Sequence, residues 1–177
     1  IGIKRATGEY LAFLDSDDQW LPNKLNLQIS IMKKRNLGFS HTSYYKVESN
    51  RINIINSGLF TYIYPLPAYT CKIATPTVIV KRNILNNLKF DEQLKYMEDT
   101  LLWLQISKNT KLVGINIPLS KIYTNKKSSY LDKELYYISQ KYISNKEFKN
   151  ILHIKITHKV FYNLRYHSWY ILNILWK

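Results

Sequence analysis

The feature that most constrains this chain is a short apolar run ending in a knot of carboxylates. Glu9-Tyr10-Leu11-Ala12-Phe13-Leu14 passes directly into Asp15-Ser16-Asp17-Asp18. Gly8 before the run and the acidic knot after it bound a segment of strand length, so it reads as a buried β-strand. Ile1 to Ala6 reads as the end of a helix stopped near Gly8. A helix feeding a buried strand that ends in carboxylates is the layout of an α/β sheet, where ligands bind beyond the carboxyl ends of strands. The strand expected before this one is absent from the sequence, so the chain reads as beginning inside a domain.

Asp15, Asp17 and Asp18 repel one another, which a chain tolerates in water or around a cation. Two readings of the cluster stand side by side. Asp and Ser ahead of a helix at Pro22 can cap its free N–H groups. Alternatively, an Asp-x-Asp step aims two carboxylates at one site. Oxygen ligands suit hard divalent cations, and Mg²⁺ or Mn²⁺ leaves room for substrate phosphates. A second acidic pair, Glu98-Asp99, opens an apolar helix, Thr100 to Ile106. It too reads as a cap, or as a general base able to take a proton from a hydroxyl.

The rest of the pattern is mixed α and β. Pro22 to Arg35 reads as an amphipathic helix with Leu25, Ile29 and Met32 on its apolar face. Phe39 to Val47, Ile52 to Ile55, Thr77 to Val80, Lys111 to Ile117 and Leu119 to Tyr123 read as strands. Ser57 to Tyr69, with Gly58, Pro65 and Pro67, reads as a loop, and Arg82 to Leu88 as a short helix. From Tyr130 onward the pattern is helical. At 177 residues the chain fits one domain with a tail. The divisions expected are 1–128 for the α/β part and 129–177 for a helical, basic and aromatic extension.

The quoted segments resemble family 2 glycosyltransferases. Ala6 to Leu25, through Asp15-Ser16-Asp17-Asp18-Gln19-Trp20, is similar to that family's metal-site segment. Phe90-Asp91-Glu92-Gln93-Leu94 followed by Glu98-Asp99-Thr100-Leu101-Leu102-Trp103-Leu104 is similar to its acceptor-side segment. The resemblance implies a partial GT-A fold lacking its first βαβ unit, a nucleotide-sugar donor, Mn²⁺ or Mg²⁺, and inversion at the anomeric carbon. It implies that Asp17 is the direct metal ligand and that Asp15 contacts the metal or the nucleotide ribose. Asp18 supports either, and Asp99 is the base with Glu98 beside it. Thr75 to Thr77 fall where such enzymes line the donor–acceptor cleft, and Trp103 matches a core aromatic. Thr100 and Gln105 depart from the family's usual residues. An inactive truncated remnant is the alternative for the fragment itself.

Charge bears on partners. Lys and Arg number 26 against 12 Asp and Glu, a net charge of +14, which favours anionic partners such as phosphates or lipid headgroups. A nucleic-acid-binding module would concentrate its basic residues in one stripe with interleaved aromatics. Here the basic residues are dispersed and the carboxylates are focused, so nucleic acid is not the expected partner. Lys155 to Lys177 mixes Lys155, Lys159, Arg165 and Lys177 with Phe161, Trp169, Tyr170 and Trp176. This segment suits peripheral contact with a membrane or packing on its own domain. His153, His158 and His167 do not share a helix face and are not expected to bind metal. With Cys71 as its one cysteine, the chain can form no internal disulfide, which fits a cytoplasmic setting at the inner face of a membrane.

Overall fold

The computed structural model describes residues 1–57, 61–62, 73–124 and 133–148. In chain order the elements are α1 (Gly2–Arg5), β1 (Tyr10–Ala12), β2 (Gln19–Trp20), α2 (Lys24–Lys34), β3 (Phe39–Glu48), β4 (Arg51–Ile55) and β5 (Thr61–Tyr62). A 3-10 turn (Thr75–Thr77) then leads to β6 (Ile79–Lys81), α3 (Arg82–Leu85), α4 (Glu98–Ser107), β7 (Leu112–Tyr123) and α5 (Lys133–Phe148).

The described strands form one mixed sheet in the order β1-β6-β3-β7-β2, with β4 added to β3 and β5 to β7. Its axis is the parallel pair β3 and β7, in register from Ser40 opposite Val113 to Val47 opposite Tyr123. The two strand segments expected at Lys111 to Ile117 and Leu119 to Tyr123 are one strand. Pro118, which cannot donate to a ladder, sits where the β3–β7 register shifts, so the strand passes through it as an irregularity.

β1 differs from the expected buried strand. Only Leu11 is buried, Leu14 is exposed, and among the described residues β1 pairs with β6 alone, antiparallel. It lies at the end of the sheet order, so one edge and one face carry its stabilisation. Val80 lies opposite Leu11, and Ile79 opposite Ala12. The chain continuing past Ala12 therefore runs beside the turn that precedes β6, and Phe13 N–H donates to the Val78 carbonyl at 3.4 Å.

The helix after the acidic knot also differs from its expected form. It starts at Lys24, capped by Asn23 with no side-chain cap bond, so Pro22 lies outside it. Its buried line is Lys24, Gln28 and Met32, while Leu25 is 42% exposed. The i, i+4, i+8 spacing is that of one helix face, but two of its three residues are polar.

The main core joins the two acidic segments. Trp103 of α4 is fully buried and meets Phe13, Phe39 and Phe90 edge-on, with ring centroids 5.6, 5.3 and 6.2 Å away. Such pairs add stabilisation beyond the area they bury. Trp103 was expected to be a core aromatic, and it is. Trp103→Ala is expected to destabilise the fold by about 3–5 kcal/mol, measured by urea denaturation monitored by far-UV circular dichroism.

Behind α4, Ile143 of α5 packs with Leu94, Leu101 and Leu104. Polar bonds fix the same contact. Tyr142 donates to Asp91 at 2.9 Å, Lys146 pairs with Asp91 at 2.5 Å, and Gln105 donates to Glu147 at 3.0 Å. Lys146 first, then further hydrogen bonds from Gln93 and Tyr142, hold the Asp91 carboxyl below its ordinary range. Gln105 therefore serves the helix packing. The expected division between 128 and 129 falls in 125–132, outside the described residues, as do Cys71, the three tail histidines and Lys155 to Lys177. Among the described residues no helix is long and apolar enough to cross a membrane.

Candidate active site

The acidic loop is strapped to the sheet at both ends. Behind it is β1 on β6; ahead of it Gln19 and Trp20 pair with Lys121 and Ser120 of β7. Between them Asp18 N–H donates to the Asp15 carbonyl at 3.1 Å, closing a turn. Asp18 Oδ1 accepts the Tyr123 N–H at 2.9 Å, a contact across 105 residues. Asp18 therefore clasps the loop to the end of β7, with one of its oxygens already engaged. The cluster ends five residues before Asn23, and Asn23 caps α2 without a side-chain bond. The helix-cap reading of Asp15 to Asp18 is thus not what the structure shows; Asp15, Ser16 and Asp17 lie exposed at the strand end.

Asp99 approaches from α4. The helix opens after Met97, whose φ of 63° is left-handed, a strained conformation for a non-glycine residue. One oxygen of Asp99 accepts the Thr100 N–H at 2.5 Å and the Thr100 hydroxyl at 3.3 Å. The other accepts the Thr75 hydroxyl at 3.3 Å. So Asp99 does satisfy one free N–H of its helix, and its second oxygen faces the turn of the predicted cleft. Phe13 stands two residues before Asp15 and Trp103 four after Asp99, so their edge contact packs the segment leading to the acidic loop against the helix that carries Asp99.

The two acidic segments are close enough to repel one another. Although much of the Asp15 side chain is exposed, partial burial of its carboxyl raises it above its ordinary range, and repulsion from Asp17 and Asp99 raises it further. Burial raises Asp99, against the pull of its bonds from Thr100 and Thr75. Glu98 is raised first by burial, with repulsion from Asp99 and Asp15 adding to it. Asp18 is raised by burial and by its acidic neighbours, while the Tyr123 N–H opposes that shift. Asp15, Glu98 and Asp99 thus act on one another, while Asp17 acts on Asp15 and Asp18 from within the loop.

A divalent cation fits this donor set in one manner. Among the described residues no three His, Cys, Asp or Glu side chains already surround a common point. Mg²⁺ and Mn²⁺ are commonly held by one or two carboxylates plus substrate phosphate oxygens. Asp17 and Asp15 can supply the two carboxylates, and mutual repulsion at Asp15 is what a cation would relieve.

Residues that sequence reasoning passed over stand behind the site. Trp20 Nε1 and Ser120 Oγ both donate to the Pro76 carbonyl, at 2.9 and 3.0 Å. Gln28 Nε2 and Lys24 Nζ both donate to the Thr77 carbonyl, at 3.0 and 3.3 Å. Burial brings the Lys24 ammonium down to about 7. Their i, i+4 spacing ahead of Met32 was the available signal. A surface depression lined by Glu9, Lys81, Arg82 and Asn83 lies at the other end of β1, away from these groups.

Comparison with known proteins follows the same lines. Residues 1–90 match the family model described as glycosyl transferase family 2, a match that takes in Asp15 to Asp18 and ends before Glu98. A glycosyltransferase of Rickettsia bellii is 42% identical over 125 residues, which are 69% of this chain and 18% of that protein. The UDP-Glc:alpha-D-GlcNAc-diphosphoundecaprenol beta-1,3-glucosyltransferase WfgD of Escherichia coli is 38% identical over 116 residues, 64% of this chain and 44% of that protein. The chain spans less than half the length of either relative. TarS 1–349 of S. aureus, in complex with UDP-GlcNAc, superposes with a TM-score of 0.64 at 19% identity, over 94% of this chain and 51% of that one. The likeness shows the fold, and the expected partial GT-A arrangement is the one observed.

Proposed function

Because this chain belongs to glycosyl transferase family 2, we propose that it carries the metal and base side of a centre transferring a sugar, with inversion, from a nucleotide-sugar donor to a glycan or lipid-linked acceptor. The observation that carries this reading is that both acidic segments are tied to one turn: Phe13 and Trp20, which flank the Asp15–Asp18 loop, bond to the Val78 and Pro76 carbonyls, and Asp99 accepts the Thr75 hydroxyl. Asp99 takes the proton of the acceptor hydroxyl. That oxygen forms a bond to the anomeric carbon as the carbon's bond to the donor diphosphate breaks, and the nucleoside diphosphate leaves. A carboxylate whose proton affinity has been raised by burial is a stronger base for this step. Thr75 and Thr100 orient it.

Asp17 and Asp15 hold Mn²⁺ or Mg²⁺ in this reading; the ion, when bound, neutralises charge growing on the leaving diphosphate. Asp18 holds the loop in place, and Glu98 adds negative charge beside the base. The GlcNAc-diphosphoundecaprenol acceptor of WfgD supports a diphospho-lipid acceptor here and, in this reading, a place in cell-envelope polysaccharide synthesis. Peripheral membrane contact through 155–177 would suit such an acceptor.

The test uses the whole protein with UDP-glucose or UDP-N-acetylglucosamine, a synthetic GlcNAc-diphospho-lipid, and Mn²⁺. Transfer is expected, with the new linkage showing the opposite anomeric configuration to the donor by proton NMR. A product of retained configuration would exclude a single displacement assisted by Asp99.

A further inference from the structure

Lys24 is 0% exposed and no described carboxylate bonds to it. Its ammonium donates to Gln28 Oε1 at 2.6 Å and to the Thr77 carbonyl at 3.3 Å, and it lies 5.6 Å from the centre of the Trp20 ring. Removing a cation from water without a counter-ion is costly. Met32, two turns along the same face, shows that a purely apolar residue fits this layer. A costly group on the face where Met32 is tolerated points to a role other than stability.

Gln28 is equally buried. Its amide donates to Ser40 Oγ at 3.0 Å and to the Thr77 carbonyl at 3.0 Å, while its oxygen receives Lys24. The Thr77 carbonyl therefore takes two side-chain donors from α2, and the adjacent Pro76 carbonyl takes two more, from Trp20 and Ser120. The turn they grip is itself stiff: Thr77 N–H and Oγ both donate to the Ala74 carbonyl, at 2.9 and 2.6 Å. At its near end, Thr75 offers its hydroxyl to Asp99. Of the gripping residues, Trp20 lies in β2 and Lys24 and Gln28 in α2, the two elements that follow the acidic loop, and Ser120 lies in β7.

We propose that Lys24 and Gln28 are positioning residues for the transfer step: from the buried face of α2 they hold the Thr77 carbonyl, and through the turn the Thr75 hydroxyl, in register with the Asp99 carboxylate. The strut ties the segment that follows the acidic loop to the turn that orients the base. It rests on the reading of Asp99 as base. A displacement of about 1 Å in such a constellation costs on the order of 10²-fold in rate, so the strut acts on kcat and leaves donor binding alone.

The experiment compares Lys24→Met, Gln28→Met, Thr75→Val and the two double variants with Thr75→Val, in the whole protein, using UDP-glucose and the GlcNAc-diphospho-lipid. Expected is a loss in kcat of roughly 10–100-fold, with KM for UDP-glucose unchanged, and with Tm unchanged or raised in Lys24→Met, where the buried cation is removed. Each double variant should be no slower than Thr75→Val alone, because both changes release the same contact. The proposal is overturned by unchanged kcat in Lys24→Met and Gln28→Met, by kcat losses that track a lower Tm, or by effects that multiply with Thr75→Val. If Lys24→Met does not fold, Gln28→Met, which leaves the lysine its bond to Thr77, decides alone. Asp99→Asn separates the two levels. Full transfer by Asp99→Asn refutes the base and the strut together, whereas an inactive Asp99→Asn beside a normal Lys24→Met refutes the strut only.

Discussion

Asp99→Asn is expected to reduce kcat by about 10²–10⁴-fold, the range supplied by a positioned general base, while UDP binding measured by tryptophan quenching stays as in the parent. The amide is isosteric and its one oxygen can keep the bonds from Thr100; the Thr75 hydroxyl, which meets the other carboxylate oxygen, then faces an NH2 group and turns to accept from it, so the fold is preserved. What disappears is the ability to take a proton. The pH profile supplies an independent reading. Burial is the main cause that lifts Asp99 above the ordinary carboxylate range. The acidic limb of kcat/KM should therefore fall above the usual aspartate value of about 4, with activity lost as pH drops through it. Thr75→Val removes a bond that lowers the Asp99 pKa, so the limb should move further upward. A profile flat through the carboxylate range would remove Asp99 from the base role.

The same raised pKa makes a statement about stability, with the opposite sense. A group that binds its proton more tightly when folded stabilises the fold below its unfolded pKa, and that contribution is lost as pH rises through the folded one. Asp99 and Asp15 are both raised. At neutral pH the site is thus held together against its own charge, by the aromatic contacts of Trp103 and the four donors on the Pro76 and Thr77 carbonyls. Asp99→Asn should melt higher than the parent at neutral pH, and the difference should close as pH falls. Function and stability pull apart at this residue, as they do wherever a site concentrates like charge.

Much of this was legible in the order of residues, and the reason differs by element. Asp15 to Asp18 could be placed at a strand end because Gly8 and the apolar run before them are local signals. The α4 helix and the core position of Trp103 were legible because five of its residues, Leu101, Leu102, Trp103, Leu104 and Ile106, are apolar and close together. Local signals fail where the partner is remote. Asp18 meets Tyr123 across 105 positions, and Lys24 and Gln28 meet Thr77 across 53 and 49. Hydrophobic periodicity searches for apolar residues on a buried face, so it chose Leu25, Ile29 and Met32 and passed over the polar pair that the turn's carbonyls make burial possible for. Two strands, Lys111 to Ile117 and Leu119 to Tyr123, were expected where there is one, because the parallel pairing of β3 and β7 on either side of Pro118 carries the strand through it.

Asp17→Asn is expected to lose Mn²⁺-dependent transfer by about 10³-fold or more, since a cation on the leaving diphosphate supplies several kcal/mol. The more discriminating result is a crossing of two melting curves. In buffer free of divalent ions, removing the Asp17 charge relieves the repulsion it exerts on Asp15, so the variant should melt at or above the parent. With Mn²⁺ and UDP at roughly 100-fold over their dissociation constant, the parent gains about 2.7 kcal/mol by linkage. For a chain of this size that is a rise on the order of 5–11 °C. The variant, left with Asp15 and an engaged Asp18, should gain little. The order of stabilities therefore inverts on adding the ion. Ion binding requires the carboxylates deprotonated, so the parent's gain should shrink as pH falls through the raised range of Asp15. A helix cap would behave otherwise: Asp17→Asn would then change stability equally with and without Mn²⁺, and a parallel shift of the two curves would return the cluster to a structural role.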